Sequence, residues 1–79
     1  MQITVQLFGL LRKKIPGYDP EAGIQIRVEA GSTVEDLLRG LDLADANIGL
    51  VTVNQEIASK KTKLQEGSTV RLFHPLFGG

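Results

Sequence analysis

Apolar and polar residues alternate in two segments near the start of the chain, residues 2–8 and 24–28. A period of two is typical of a β-strand with one buried face. We therefore predict two strands whose inward residues are Ile3, Val5, Leu7, Ile24, Ile26 and Val28. Pro16-Gly17 and Asp19-Pro20 are turn signals between them, which favours pairing of the two strands. Residues 10–14 could form a helical turn, which Pro16 would end.

The spacing becomes helical after Gly31. Four apolar residues recur at i, i+3, i+4 and i+7, the spacing of one helix face: Val34, Leu37, Leu38 and Leu41. Ser32 is the predicted N-cap, and Glu35 three residues later would complete a capping box. Such a cap contributes about 1 kcal/mol to helix stability. The apolar stripe predicts that this helix covers one face of a sheet.

Three further strands are predicted over 50–53, 55–58 and 69–73, with a positive-φ turn at Asn54. The order of elements indicates an α+β fold in two layers, in which one helix packs on a five-stranded sheet. We expect a single domain spanning residues 1–79. Because one helix covers only one face, the opposite face should be polar or should bind a partner.

The last strand suggests which residues bind that partner. If Val70 and Leu72 point into the core, alternation directs Arg71 and Phe73 to the uncovered face, and Phe8 follows by the same parity. Two more apolar residues lie close to the end of the sequence, where burial is difficult. The predicted docking residues are therefore Phe8, Arg71, Phe73, Leu76 and Phe77. The alternative is that Phe73 closes the core.

Composition limits the possible functions. Nine Lys and Arg residues balance nine Asp and Glu residues, which disfavours general nucleic-acid binding. The chain contains no cysteine and one histidine, so we expect neither a disulfide scaffold nor a multi-histidine metal site. No apolar stretch is long enough for a membrane span, and no export signal is visible, so we expect a cytoplasmic protein that does not bind membranes.

The whole chain resembles the β-grasp, ubiquitin-like sulfur carriers of the MoaD and ThiS type. The resemblance rests on Phe8-Gly9-Leu10-Leu11-Arg12, the helix start at 32–38, the Val53-Asn54 turn, and the run from Leu64 through Phe73-His74-Pro75 to Gly78-Gly79. It implies a mixed five-stranded sheet and a flexible tail over about 75–79. Gln55 stands where the family usually has glycine. The longer connection from Gly9 to Gly23 and the Phe8 and Arg12 pattern are closer to the small subunit of molybdopterin synthase than to thiamine-type carriers.

The resemblance implies a carrier rather than an enzyme. A ubiquitin-activating-like adenylyltransferase of the MoeB or ThiF type would use ATP to adenylylate the carboxylate of Gly79. A sulfur-donating enzyme would convert it to a thiocarboxylate, which a larger synthase subunit of the MoaE type would consume. Gly78 would pass through a partner's narrow active-site channel, because it has no side chain. We expect no bound cofactor or metal and a monomer when free. The alternatives are a ubiquitin-like modifier conjugated through Gly79 to target lysines, and a carrier for thiamine thiazole or another sulfur-containing metabolite.

Overall fold

Five strands and one α-helix make up the computed structural model, which describes residues 1–75. The strands are β1 (Gln2–Phe8), β2 (Ile24–Arg27), β3 (Leu50–Val53), β4 (Glu56–Ala58) and β5 (Thr69–Phe73), and helix α1 spans Val34–Gly40. Short 3₁₀ helices occupy Gly9–Lys14 and Asp45–Asn47. The predicted strand positions are confirmed to within one residue at each end.

The strands form one mixed sheet in the order β2-β1-β5-β3-β4. β1 pairs with β5 in parallel, and the other neighbouring pairs are antiparallel. The first and last strands of the chain are therefore neighbours near the centre of the sheet. This arrangement confirms the predicted β-grasp fold with a mixed five-stranded sheet and one main helix.

The predicted inward residues of β1 form the centre of the core. Ile3, Val5 and Leu7 are fully buried, as are Val70 and Leu72 of β5. They belong to one apolar cluster with the helix residues Val34, Leu37 and Leu38, and Leu41 packs against its edge. Helix α1 therefore covers the face of the sheet that these strand residues line.

The predicted helix cap is wrong by one residue. Thr33, not Ser32, is the N-cap, and the capping box is completed by Asp36 rather than Glu35. The Thr33 amide donates to Asp36 Oδ2 at 2.9 Å, and the Asp36 amide donates to Thr33 Oγ1 at 3.3 Å. The hydrogen bonds from Thr33 lower the pKa of the Asp36 carboxyl.

The reason for the shifted cap is a contact from a distant part of the chain. Thr33 pairs with Lys63 in an isolated β-bridge, and the Leu64 amide donates to the Ser32 carbonyl at 2.8 Å. These contacts keep Ser32 in the strand-like connection before α1. The helix therefore begins after Thr33.

Candidate functional site

The face of the sheet opposite α1 is not covered by any helix in residues 1–75. Strand pairing aligns its side chains in rows across the sheet, because paired residues share a face. The residues on this uncovered face are Gln2, Thr4, Gln6, Phe8, Gln25, Arg27, Leu50, Thr52, Ile57, Thr69, Arg71 and Phe73. The face is therefore polar toward the start of β1 and apolar where β1 and β5 end.

The apolar end is built around two stacked aromatic rings. Phe8 and Phe73 are directly paired across β1 and β5, and their ring centroids are 4.7 Å apart with an interplanar angle of 12°. Leu50 is paired with Phe73 on the other side and is 41% exposed. Phe73 thus points away from the core, as its parity predicted, and it does not close the core. Its role in docking stays a prediction.

Arg12 extends this apolar end on its outer side. Its guanidinium carbon lies 5.7 Å from the Phe8 ring centroid, and its Nε donates to the Leu7 carbonyl at 3.0 Å. The structure places this cation against an aromatic ring, a geometry that favours attraction. Phe8 and Arg12 are four residues apart across a helical turn, and this spacing is the sequence feature that could have predicted their contact.

Arg71 lies one row further into the sheet. Its Nε donates to Gln6 Oε1 at 2.8 Å, which orients the guanidinium along the face. Thr52 is paired with Arg71 on one side and with Ile57 on the other, and Ile57 is 79% exposed. Sequence reasoning missed Leu50 and Ile57 because the parity argument was applied only to the first and last strands. The same alternation in β3 and β4 identifies both.

The charge on this face has one sign. Among the strand residues of the described chain, Arg27 and Arg71 are the charged residues on the uncovered face, and no Asp or Glu lies there. Arg12 adds a third positive charge at its border. A neutral chain therefore presents an apolar surface bordered by cations.

The chain leaves the sheet directly beside the stacked rings. The Gly49 amide donates to the Phe73 carbonyl at 2.7 Å, which continues the β3–β5 pairing to the last residue of β5. His74 is half-buried, and Pro75 is exposed. The predicted site residues Leu76, Phe77, Gly78 and Gly79 lie outside the described residues.

Two other features are absent from residues 1–75. No group of three or more His, Cys, Asp or Glu side chains in this range is arranged to hold a metal ion. No helix in this range has the length and apolar character needed to cross a membrane.

Comparison with known families identifies the chain. A family model described as the ThiS family matches residues 5–79. The chain belongs to the ThiS family. This confirms the predicted membership among small carrier-type proteins with a ubiquitin-like fold. A search of curated protein sequences found no match.

Solved structures share the ThiS-family fold of this chain. SAMP1 from Haloferax volcanii is 23% identical with a TM-score of 0.77, and the match covers 100% of both chains. A putative molybdopterin converting factor, subunit 1, from Pyrococcus furiosus is 18% identical with a TM-score of 0.70, and the match covers 95% of this chain and 98% of that one. Small archaeal modifier protein 1 from H. volcanii is 20% identical with a TM-score of 0.70 and the same coverage. At these identities the likeness shows the fold alone.

Proposed function

We propose that this ThiS-family chain is a sulfur carrier whose Gly79 carboxylate is activated and converted to a thiocarboxylate. The observation that carries the proposal is the family match, which runs through residue 79 and so includes both terminal glycines. The apolar end of the uncovered face supports it, because a partner bound there would lie beside the residues that lead to the glycines.

The chemistry requires another protein. A carboxylate is a poor electrophile, so an adenylyltransferase first joins Gly79 to AMP from ATP and releases pyrophosphate. A sulfur-donating enzyme then supplies sulfur at the oxidation level of sulfide, which attacks the acyl carbon, displaces AMP and leaves a thiocarboxylate on Gly79. The carrier contributes the reacting carbon and a docking surface, while the activating enzyme binds ATP. Because Gly78 lacks a side chain, it fits a narrow channel with little hindrance.

The docking surface has a chemical preference. The Phe8–Phe73 pair and Leu50 provide apolar area, and Arg12 and Arg71 provide positive charge at its border. A complementary partner surface is apolar and bordered by carboxylates, because such complementarity speeds encounter and sets orientation. The activating enzyme and the sulfur acceptor would both use this end of the face. Their binding is therefore expected to be mutually exclusive.

The proposed pathway is the biosynthesis of molybdopterin or its tungsten counterpart. The long connection between β1 and β2 and the Phe8 and Arg12 pattern resemble the small subunit of molybdopterin synthase, and Arg12 does contact the Phe8 ring. One structural relative carries the name of a molybdopterin converting factor subunit. The acceptor would then be a larger synthase subunit, and thiamine thiazole formation is the alternative pathway.

Intact mass spectrometry tests the carrier proposal. The chain is incubated with its adenylyltransferase, ATP and a sulfur-donating enzyme, and the expected product gains the mass difference between sulfur and oxygen. A variant lacking Gly78 and Gly79 serves as the control and should remain unchanged. An unmodified full-length chain under conditions that activate a known family member would contradict the proposal.

A second function is favoured by the name of one structural relative, small archaeal modifier protein 1. In a modifier, the adenylylated Gly79 would form an amide with a lysine of a target protein. The same incubation in a cell extract separates the two functions. Conjugates that require Gly79, with no thiocarboxylate detected, would support the modifier over the carrier.

A further inference from the structure

Gly49 lies where the chain crosses the end of β3 on leaving β5. A Cβ built on Gly49 would be 2.7 Å from Pro75 Cα, 2.9 Å from Pro75 N and 3.3 Å from the His74 carbonyl carbon. Real Cβ atoms essentially never come within 3.0 Å of other heavy atoms, so the two Pro75 contacts require a shift, while the His74 contact is only tight. The nearest atoms belong to the backbone, so a rotamer change cannot relieve the clash.

The contact is held on both sides. The Gly49 amide binds the Phe73 carbonyl at 2.7 Å, which ties Gly49 to the last residue of β5. Pro75 has a restricted φ, and a residue before proline, here His74, is biased to extended backbone. Because the backbone at His74 and Pro75 has little freedom, its closest possible approach to Gly49 sets the direction of the chain at Pro75.

We infer that Gly49 is a positioning residue, which by lacking a side chain sets the direction in which the carrier end leaves the sheet. The inference rests on the proposed function for its consequence. To reach ordinary van der Waals contact at 3.4 Å, Pro75 Cα would have to move by about 0.7 Å. A misplacement of about 1 Å at a reacting group can reduce a rate by about 100-fold. Pro75 precedes Gly79 by only four residues in the sequence, so we expect a shift at Pro75 to affect how the carboxylate enters the partner's active site.

The test compares Gly49→Ala with wild type in adenylylation. Pyrophosphate release in the presence of the adenylyltransferase and ATP gives kcat and KM, and calorimetric titration without ATP gives the Kd of the carrier. We expect kcat to fall about 10-fold or more, while KM and Kd stay within about twofold of wild type because the docking face is unchanged. Gly40→Ala is the matched control, since its Cβ would meet only Ile26 Cδ1 at 3.9 Å.

Nuclear magnetic resonance provides a readout that does not depend on activity. In Gly49→Ala the amide signals of Phe73 and His74 should shift, while those of core residues such as Val5 and Leu37 should not. An unchanged kcat, unchanged signals at Phe73 and His74, or failure of the variant to fold would each overturn the inference. A weakened Kd that accounts for the loss of activity would also overturn it. If the wild-type chain releases no pyrophosphate, the proposed function fails, and the magnetic resonance comparison still decides the role of Gly49.

Discussion

At the residue scale, the turn between β3 and β4 contains two consecutive non-glycine residues with positive φ. Asn54 has φ 50° and Gln55 has φ 74°. Asn tolerates this conformation, and its Oδ1 accepts a hydrogen bond from the Thr69 amide at 2.9 Å. A glutamine gains no such advantage and retains the steric cost of its Cβ. Gln55 is therefore a strained position in a two-residue hairpin that favours Asn-Gly.

Replacing Gln55 with glycine should stabilise the domain. Removing the left-handed strain of about 1–2 kcal/mol outweighs the added flexibility of the unfolded chain, so we expect a net gain of about 1 kcal/mol. For a domain of this size that corresponds to a rise of about 4–8 °C in Tm. Thermal unfolding followed by circular dichroism measures it. Gln55→Ala, which keeps the Cβ, is the control, and an equal gain in both variants would contradict the explanation.

Single residues also show where local sequence stops being informative. Asn54 was predicted to have positive φ, because that preference is intrinsic to the side chain. The N-cap was misassigned because Ser32 and Thr33 are both good caps and each has an acidic residue three positions later. The choice between them depends on the bridge from Thr33 to Lys63, which no local pattern reveals.

At the scale of elements, β1 extends beyond its neighbour β2. β2 pairs with β1 only from Gln2 to Val5, so the later residues of β1 have no strand on that side. Instead, the Leu7 amide donates to the Tyr18 hydroxyl at 2.8 Å, and the Leu7 carbonyl accepts from Arg12 Nε at 3.0 Å. The connection between β1 and β2 thus satisfies the exposed edge of a central strand, which would otherwise be open to pairing with another chain.

Tyr18→Phe should therefore lower the free energy of unfolding by more than the removal of an exposed hydroxyl would. It leaves the part-buried Leu7 amide without its partner, and we expect a loss of about 1–3 kcal/mol. Chemical denaturation measures the loss, and hydrogen exchange at the Leu7 amide should become faster. The Leu64 amide, which binds the Ser32 carbonyl, is the internal control. Unchanged stability and unchanged exchange at Leu7 would show that water replaces the hydroxyl.

The elements differ in how far the sequence predicts them. The predicted bounds of β1, β3 and β5 agree with the structure, because each of these strands has a buried face. The helical turn after β1 was also foreseen, but the bond from Tyr18 to β1 was not. A contact from a side chain to a distant backbone group depends on the path of the intervening loop, and periodicity carries no information about that path.

At the scale of the whole molecule, the two faces of the sheet differ in what they contain. One face holds the core, and the other presents the stacked Phe8 and Phe73 rings, which contribute about 0.5–1.5 kcal/mol as an aromatic pair. Since Phe73 is not part of the core cluster, its loss should affect binding more than folding.

Phe73→Ala should weaken binding to the activating enzyme by about 30-fold or more, as removal of a central aromatic anchor does. Its Tm should fall by much less than a core truncation would produce. Calorimetric titration and thermal unfolding measure the two effects. Thr69→Ala, on the same strand and face but four residues from Phe73, is the matched control and should retain wild-type affinity. A sharp fall in Tm with unchanged affinity would show that Phe73 serves the fold instead.

The overall arrangement was predicted from the family resemblance rather than from periodicity. Local patterns indicate strands and a helix, yet the pairing of β1 with β5 joins residues as far apart as Gln6 and Arg71, 65 positions along the chain. The resemblance implied the mixed five-stranded sheet that contains this pairing, and the structure shows which strands pair. The apolar end of the uncovered face was predicted only in part, because Leu50 lies on β3, to which the parity of β1 and β5 was not extended, and Arg12 lies on the 3₁₀ helix after β1.

The position of β5 has a consequence for how the protein is made. A ribosome releases residues 69–73 last among the strands, yet these residues lie between β1 and β3 in the sheet. Any nascent chain interrupted before them lacks the strand that joins the two halves of the sheet and the ring that stacks on Phe8. An incomplete translation product would therefore lack both a continuous sheet and the paired rings of the proposed docking surface.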